Sequence, residues 1–276
     1  MDIHAEGGGD ALGGGMDPEK EREARERSEP GALVLHETIT LQGNEELARS
    51  VSSVAWSGFA SGLTMGFTLI AQGVLYAHLP ESPWRDLVTG FGYTLGFLLV
   101  TLGKQQLFTE TTLTVLLPLL HAPERIWTVM RFWLIVFVTN VLATLLIAWA
   151  ISVPGVFADE FRHAFEAIAI KSSQGSFGVT LARAVLAGWL IALMVWVSPA
   201  VGSARLFLIV AVTYFLPVAE LKHVIAGSVE VAYGAITGGL TWATYFSFVA
   251  SALIGNSIGG IVFVGLLNHA QVRQEL

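Results

Sequence analysis

The sequence predicts an all-α membrane protein whose six transmembrane helices form an inverted 3+3 repeat, with the second and fifth helices broken. Three observations predict it. The chain is 53% hydrophobic and only 13% charged, where soluble domains carry about 25% charged residues, and its mean hydropathy is +0.62. Six apolar segments follow one another, each long enough for the ~20 residues that cross a bilayer. The middle segment of each group of three is interrupted by a lysine: Gly103-Lys104-Gln105-Gln106-Leu107-Phe108-Thr109-Glu110 in the first half and Glu220-Leu221-Lys222-His223 in the second.

Residues 1–45 read as a polar, disordered cytoplasmic arm, with Gly-rich stretches ahead of the charge-dense run from Asp17 to Pro30. The first 50 residues hold 12 of the 22 acidic residues but 5 of the 15 basic ones, so they carry the whole net charge of −7. The acidic balance therefore describes the arm and says nothing of what a pore would prefer. Residues 46–270 form the predicted channel domain, and 271–276 a short cytoplasmic tail. The apolar segments run over about 51–77, 87–120, 126–151, 177–198, 205–233 and 236–268. Between the third and fourth, Phe157, Phe161, Phe165 and Ile168 share one face of a short helix expected to lie in the membrane interface. With both termini inside, Arg49, Arg125, Arg131, Arg205 and Arg273 face the cytoplasm, against Arg85, Arg162 and Lys171 outside, as the positive-inside bias prefers.

Three spans are an odd number, so two such halves insert in opposite orientations, and breaks at matching places point to a midplane site. A charge at that depth costs ~2.5–3.5 kcal/mol and is kept where it lines water or a ligand path. Half-helix N-termini facing the site would favour an anion. Of seven histidines only His223 falls inside an apolar segment. It is either a satisfied core residue or a proton-relaying pore residue. Lys104 and Lys222 either pair with Glu110 and Glu220 or act as anion-attracting pore lysines. Arg183 and Lys171 read first as interfacial anchors.

No P-loop, G-x-S-x-G or H-E-x-x-H motif occurs, so no enzyme is expected. The chain has no cysteine, which removes disulfides and thiolate metal sites. No cofactor, metal or nucleic-acid partner is expected. The paired Asn-Pro-Ala boxes of a water channel are missing.

Four stretches carry a resemblance to the formate/nitrite transporter family over about residues 45–270. They are Ser61-Gly62-Leu63-Thr64-Met65-Gly66-Phe67, Leu107-Phe108-Thr109, Arg183 with Gly188-Trp189-Leu190, and Gly255-Asn256-Ser257-Ile258-Gly259-Gly260. The resemblance implies an aquaporin-like fold, a homopentamer in the lipid bilayer of a bacterial inner membrane, and passage of small monovalent anions or their conjugate acids. It places His223 at the pore centre opposite Thr109, and Lys171 in the outer vestibule. Phe97 and Leu107 fall at the inner constriction, with Phe108 beside them, and Tyr93, Leu216 and Ile191 at the outer one. Departures are Lys104-Gln105-Gln106 ahead of Leu-Phe-Thr, Lys222 in place of an acid, and Gly188 and Gly227 where asparagines are usual. They define a divergent member. The alternative is a non-conducting scaffold or regulator in which Lys104 plugs the pore by pairing with Glu220.

Overall fold

The structure, a computed structural model, describes residues 30–273. Nearly all of the charge-dense run, and the last three residues of the expected C-terminal tail, lie outside the described residues. The first element is unforeseen. Residues expected in a disordered arm form helix α1 (Ala32–Ala48). Its buried face is Leu35, His36, Ile39 and Gly43, and Leu35 and Ile39 pack with Leu113, Leu117, Trp196 and Val264. Two apolar side chains at i and i+4, rather than a full apolar stripe, seat the helix; a composition-based reading of a polar segment misses such a face.

The six apolar segments are each helical, within a few residues of their expected limits. α2 (Val51–Thr64) and α3 (Gly66–His78) run on as one length, Val51–His78. α4 (Arg85–Leu102) stops at the first break, and α5 (Phe108–Thr114) and α6 (Leu116–His121) resume after it. α7 (Ile126–Ser152) completes the first half. After α8 (Asp159–Ser172), the second half comprises α9 (Phe177–Val197), α10 (Arg205–Val218), the second break, α11 (Val224–Thr237) and α12 (Trp242–Ile258). A π-helical stretch, Gly259–Leu266, links α12 to α13 (Leu267–Val272). Four helical lengths are long and apolar enough to cross a membrane: Val51–His78, Pro123–Ser152, Phe177–Val197 and Trp242–Val272. Side-chain caps fix three starts: the hydroxyls of Ser50, Ser176 and Thr241 accept the backbone N–H of Ser53, Val179 and Thr244.

The bundle is turned inside out relative to a soluble protein. Trp56, Trp127, Leu134, Phe207 and Phe246 are largely exposed, as expected of faces meeting lipid or a neighbouring subunit. Inside, α2 packs on α7 and α9 on α12 through small residues. A Cβ on Gly62 would clash with the carbonyl of Asn140, and one on Gly188 with the carbonyl of Asn256. At Gly188 the two helices touch backbone to backbone, which leaves no room for a side chain.

The helix expected to lie in the interface has protein partners for its apolar face. α8 packs its apolar face onto α3 and α11. Phe165 is fully buried, its ring 5.5 Å from that of Tyr233, and a Cβ on Gly73 would clash with it. Its apolar face is thus covered by protein at Phe165 and Ile168.

Candidate functional site

The two breaks are built alike. In the first, Gly103 N–H bonds to Leu99 O at 3.0 Å and Gln105 N–H to Val100 O at 3.0 Å, with Lys104 between them at φ 50°. In the second, Ala219 N–H bonds to Phe215 O at 2.9 Å and Leu221 N–H to Leu216 O at 2.8 Å, with Glu220 at φ 54°. This is a helix C-terminus closed by a left-handed residue, a position usually given to glycine. Filling it with lysine and glutamate costs about 1 kcal/mol each, a cost the surroundings must hold in place.

Two asparagines hold it. Asn140 of α7 accepts the Phe108 N–H at 3.0 Å and donates to Gln106 O at 3.0 Å and Gly58 O at 2.7 Å. Asn256 of α12 accepts the Val224 N–H at 2.8 Å and donates to Lys222 O at 2.9 Å and Ala184 O at 2.7 Å. Both amides are fully buried, and each ties a break to two other helices while satisfying backbone groups that have no helical partner. Asn140 carries no motif in the sequence. The signal that could have found it is register: it precedes Asn256 by the same interval that separates Lys104 from Glu220.

At the second break, His223 is 1% exposed. Its Nδ1 accepts the Ala226 N–H at 3.2 Å, and its Nε2 lies 2.7 Å from Thr109 Oγ1. Because Nδ1 is an acceptor, the network assigns the proton to Nε2, which donates to the threonine hydroxyl. That hydroxyl keeps its own proton to offer elsewhere. The Phe97 ring meets the imidazole edge-on at 4.9 Å, with Tyr93 a further 5.3 Å along. Thus His223, Thr109 and Phe97 are brought together from three separate elements.

Two cavities flank the breaks, and one of them reaches this cluster. One, of about 350 Å³, is lined by Tyr93, Lys171, Lys222, His223 and Glu230 among others. The other, of about 400 Å³, is lined by Glu46, Lys104, Gln106, Leu107, Glu110 and Arg205 among others. Lys171 pairs with Asp86 at 2.7 Å, and the buried Lys222 ammonium lies 3.5 Å from Lys171 O. Glu230, unremarked in the sequence, is 4% exposed and accepts hydrogen bonds from Gln72 and Ser172.

Lys104 and His223 line different cavities. The expected ion pairs at the breaks are not the contacts formed. Glu220 does not reach Lys104: its carboxylate pairs with Arg183 at 2.9 Å, because the left-handed turn aims it at α9. Glu110 bonds to Thr101 at 2.7 Å. Phe108, Ile191 and Leu216 are buried in the packed core, as is Phe97.

A helical bundle with paired broken helices, two asparagine-clamped gaps and a cavity that reaches a buried imidazole defines a transport protein of the membrane. The chain belongs to the formate/nitrite transporter family, whose sequence model matches residues 34–270. It is 36% identical to the inner membrane protein YfdC of Escherichia coli over 248 residues, 89% of this chain and 80% of that protein. It is 25% identical to the formate channel BtFdhC of Bacillus thuringiensis over 252 residues, 87% of this chain and 95% of that one. Among solved structures it resembles an FNT family ion channel with a TM-score of 0.76 at 18% identity, covering 86% of this chain and 98% of the other. A pentameric formate channel with formate bound gives a TM-score of 0.68 at 17% identity, over 81% and 98%. At these identities the structural matches speak to the fold.

Proposed function

We propose that this protein is a channel or transporter for small monovalent anions of the formate and nitrite kind, or their conjugate acids, with its path running between the two cavities past His223. The observation that carries it is the His223–Thr109 contact at 2.7 Å, which lies where the Lys222 cavity ends in imidazole and the Lys104 cavity ends in Leu107. The six helical lengths are read as an inverted 3+3 repeat, with the Lys222 cavity facing outward and both termini in the cytoplasm. Family membership, and the names of the relatives, support an inner-membrane homopentamer.

In this reading Lys171 and Lys222 draw the anion into the outer cavity by charge. The apolar ring of Phe97 and the side chain of Leu107 oppose any hydrated ion, so passage needs the solute to shed water or charge. At the neck, the Nε2–H of His223 and the Thr109 hydroxyl offer hydrogen bonds that replace water for one oxygen of the solute. The N-termini of α5 and α11 add their positive dipole ends at the same place. Lys104 stands in the inner cavity beside Glu46 and Glu110, where it balances acidic groups at the mouth. The scaffold alternative loses its structural basis, since Glu220 is engaged by Arg183.

The test is uptake into proteoliposomes. Formate, nitrite and acetate are offered to the wild type and to His223→Ala between about pH 5 and about pH 8, the range in which an imidazole titrates. The reading requires saturable wild-type uptake of at least one of them, altered in rate and pH profile by the variant.

A further inference from the structure

Glu230 has no part in the path described so far, yet it is a carboxylate at bilayer depth, where an ionisable side chain is costly to keep. It follows His223 by seven residues, two turns along α11 on the same face, so it stands about 10 Å from the neck along the helix axis. Its Oε1 accepts a hydrogen bond from Gln72 Nε2 of α3 at 2.8 Å, and its Oε2 accepts one from the Ser172 hydroxyl of α8 at 2.5 Å. Both partners donate, which suits an ionised carboxylate, and each oxygen keeps a further lone pair. Glu230 is 4% exposed and lines the cavity that holds Lys222.

Most charges around that cavity pair off. Lys171 pairs with Asp86 at 2.7 Å, and Glu220 with Arg183 at 2.9 Å. The Lys222 ammonium instead meets the Lys171 carbonyl, at 3.5 Å. Lys222 and Glu230 thus face one cavity with opposite charges, and among the described residues no ion pair closes between them. Thr89 brings to the same lining a buried hydroxyl with no hydrogen-bond partner. A cationic donor and an anionic acceptor around one space match a small solute that presents an acceptor and a donor together. A carboxylic acid does so; its anion alone does not.

We propose that Glu230 makes the Lys222 cavity a joint site for a small oxyanion and one proton. The Lys222 ammonium holds one oxygen of the anion, and the proton is shared between another oxygen and the Glu230 carboxylate. The choice of solute rests on the transport reading. Two carboxylates brought together in a buried site repel while both are ionised and hold one proton between them. The ionised anion and one proton from water enter, one O–H bond forms at one of the two facing oxygens, and no other bond is made or broken. Loading then leaves the charge of the cavity unchanged, which avoids adding a lone charge at bilayer depth. Binding and passage are separate steps: uptake at saturating solute reads the neck at His223, and equilibrium binding reads this cavity.

The other titratable groups near Glu230 are few. Tyr76 of α3 and Tyr93 of α4 also line the cavity, and phenols ordinarily keep their protons to about pH 10. Lys171 of α8, Asp86 of α4 and Glu220 of the break are each engaged in an ion pair. α7 carries one titratable residue, Arg131, near its start, and α12 carries Tyr245, buried outside the cavity lining. His223 is the remaining proton-exchanging group of the cavity, and both of its nitrogens are held in hydrogen bonds. The experiment therefore separates Glu230 from His223.

The test is equilibrium binding of sodium formate to the full chain in detergent. It is read as the rise in the thermal midpoint over matched sodium chloride at the same pH, since chloride supplies ionic strength but no oxygen to share a proton. One proton taken up with each anion predicts that the apparent Kd rises about tenfold from about pH 6.5 to about pH 7.5. Glu230→Gln sets a fixed N–H donor where the proton would sit, so the variant still binds formate, with a Kd that is flat over the same range. Lys222→Met weakens binding by about tenfold or more at both pH values. A wild type with no formate-specific shift, a wild-type Kd that does not change with pH, or a tenfold rise that survives Glu230→Gln overturns the proposal. Should Glu230→Gln fail to assemble, His223→Ala decides: the rise persists if the proton is on Glu230, and its loss moves the proton to the imidazole and overturns the proposal. Formate that binds with a proton yet does not cross sinks the transport reading alone. Formate that crosses without proton-linked binding sinks this one alone.

Discussion

At the scale of single residues, His223 matters through what its two nitrogens face. Nδ1 is taken by a backbone amide and Nε2 by Thr109, so the imidazole is held in one orientation with one tautomer. Thr109→Val keeps the shape and removes the hydroxyl. Losing one hydrogen bond of about 1.4 kcal/mol predicts a drop in the uptake rate of about tenfold, and the buried Nε2–H left without an acceptor lowers stability by about 1–3 kcal/mol. Asn140 is the opposite case, where structure rather than passage is at stake. Asn140→Asp replaces two donated bonds by lone pairs and sets a charge in a fully buried place, a change expected to cost roughly 3–5 kcal/mol. It should appear as loss of folded protein from the membrane, while the same change at half-buried Asn44, whose Oδ1 already faces Arg125, leaves yield intact.

At the scale of elements, the two breaks are the same device used twice. Asn140→Ala and Asn256→Ala each remove three hydrogen bonds of the same pattern, so both should lower stability by a similar amount, roughly 2–4 kcal/mol. Unequal effects in denaturation of the detergent-solubilised protein would mean the halves are not clamped alike. Lys104→Gly relieves a left-handed lysine and should raise stability by up to about 1 kcal/mol. Glu220→Gly relieves the same strain but gives up the half-exposed Arg183 pair, worth about 0–1 kcal/mol, and should gain less. The breaks were legible in the sequence because a lysine in an apolar run costs free energy and stands out. Their clamps were not, since an isolated asparagine in an apolar helix looks like any other polar residue until its register with a second one is seen. α1 escaped notice for a related reason: its buried face mixes Leu35 and Ile39 with His36 and Gly43, so neither composition nor periodicity marks it.

At the scale of the whole molecule, hydropathy was enough to place the apolar helices, four of which are long and apolar enough to cross a membrane, because a lipid-facing length must present apolar side chains regardless of its partners. What hydropathy cannot give is which polar groups meet. The sequence offered Glu110 and Glu220 as partners for Lys104 and Lys222, while the fold sends Glu220 to Arg183 and Glu110 to Thr101. It also passed over Glu230, a buried carboxylate held by Gln72 and Ser172 beside Lys222. The measurement that bears most directly on the central claim is formate, nitrite and acetate uptake by proteoliposomes of the wild type and of His223→Ala, at about pH 5 and about pH 8. Saturable uptake by the wild type, with a pH dependence that His223→Ala abolishes, is the predicted result. Wild-type liposomes no more permeable than empty ones, or a variant with an unaltered rate and pH profile, would contradict it.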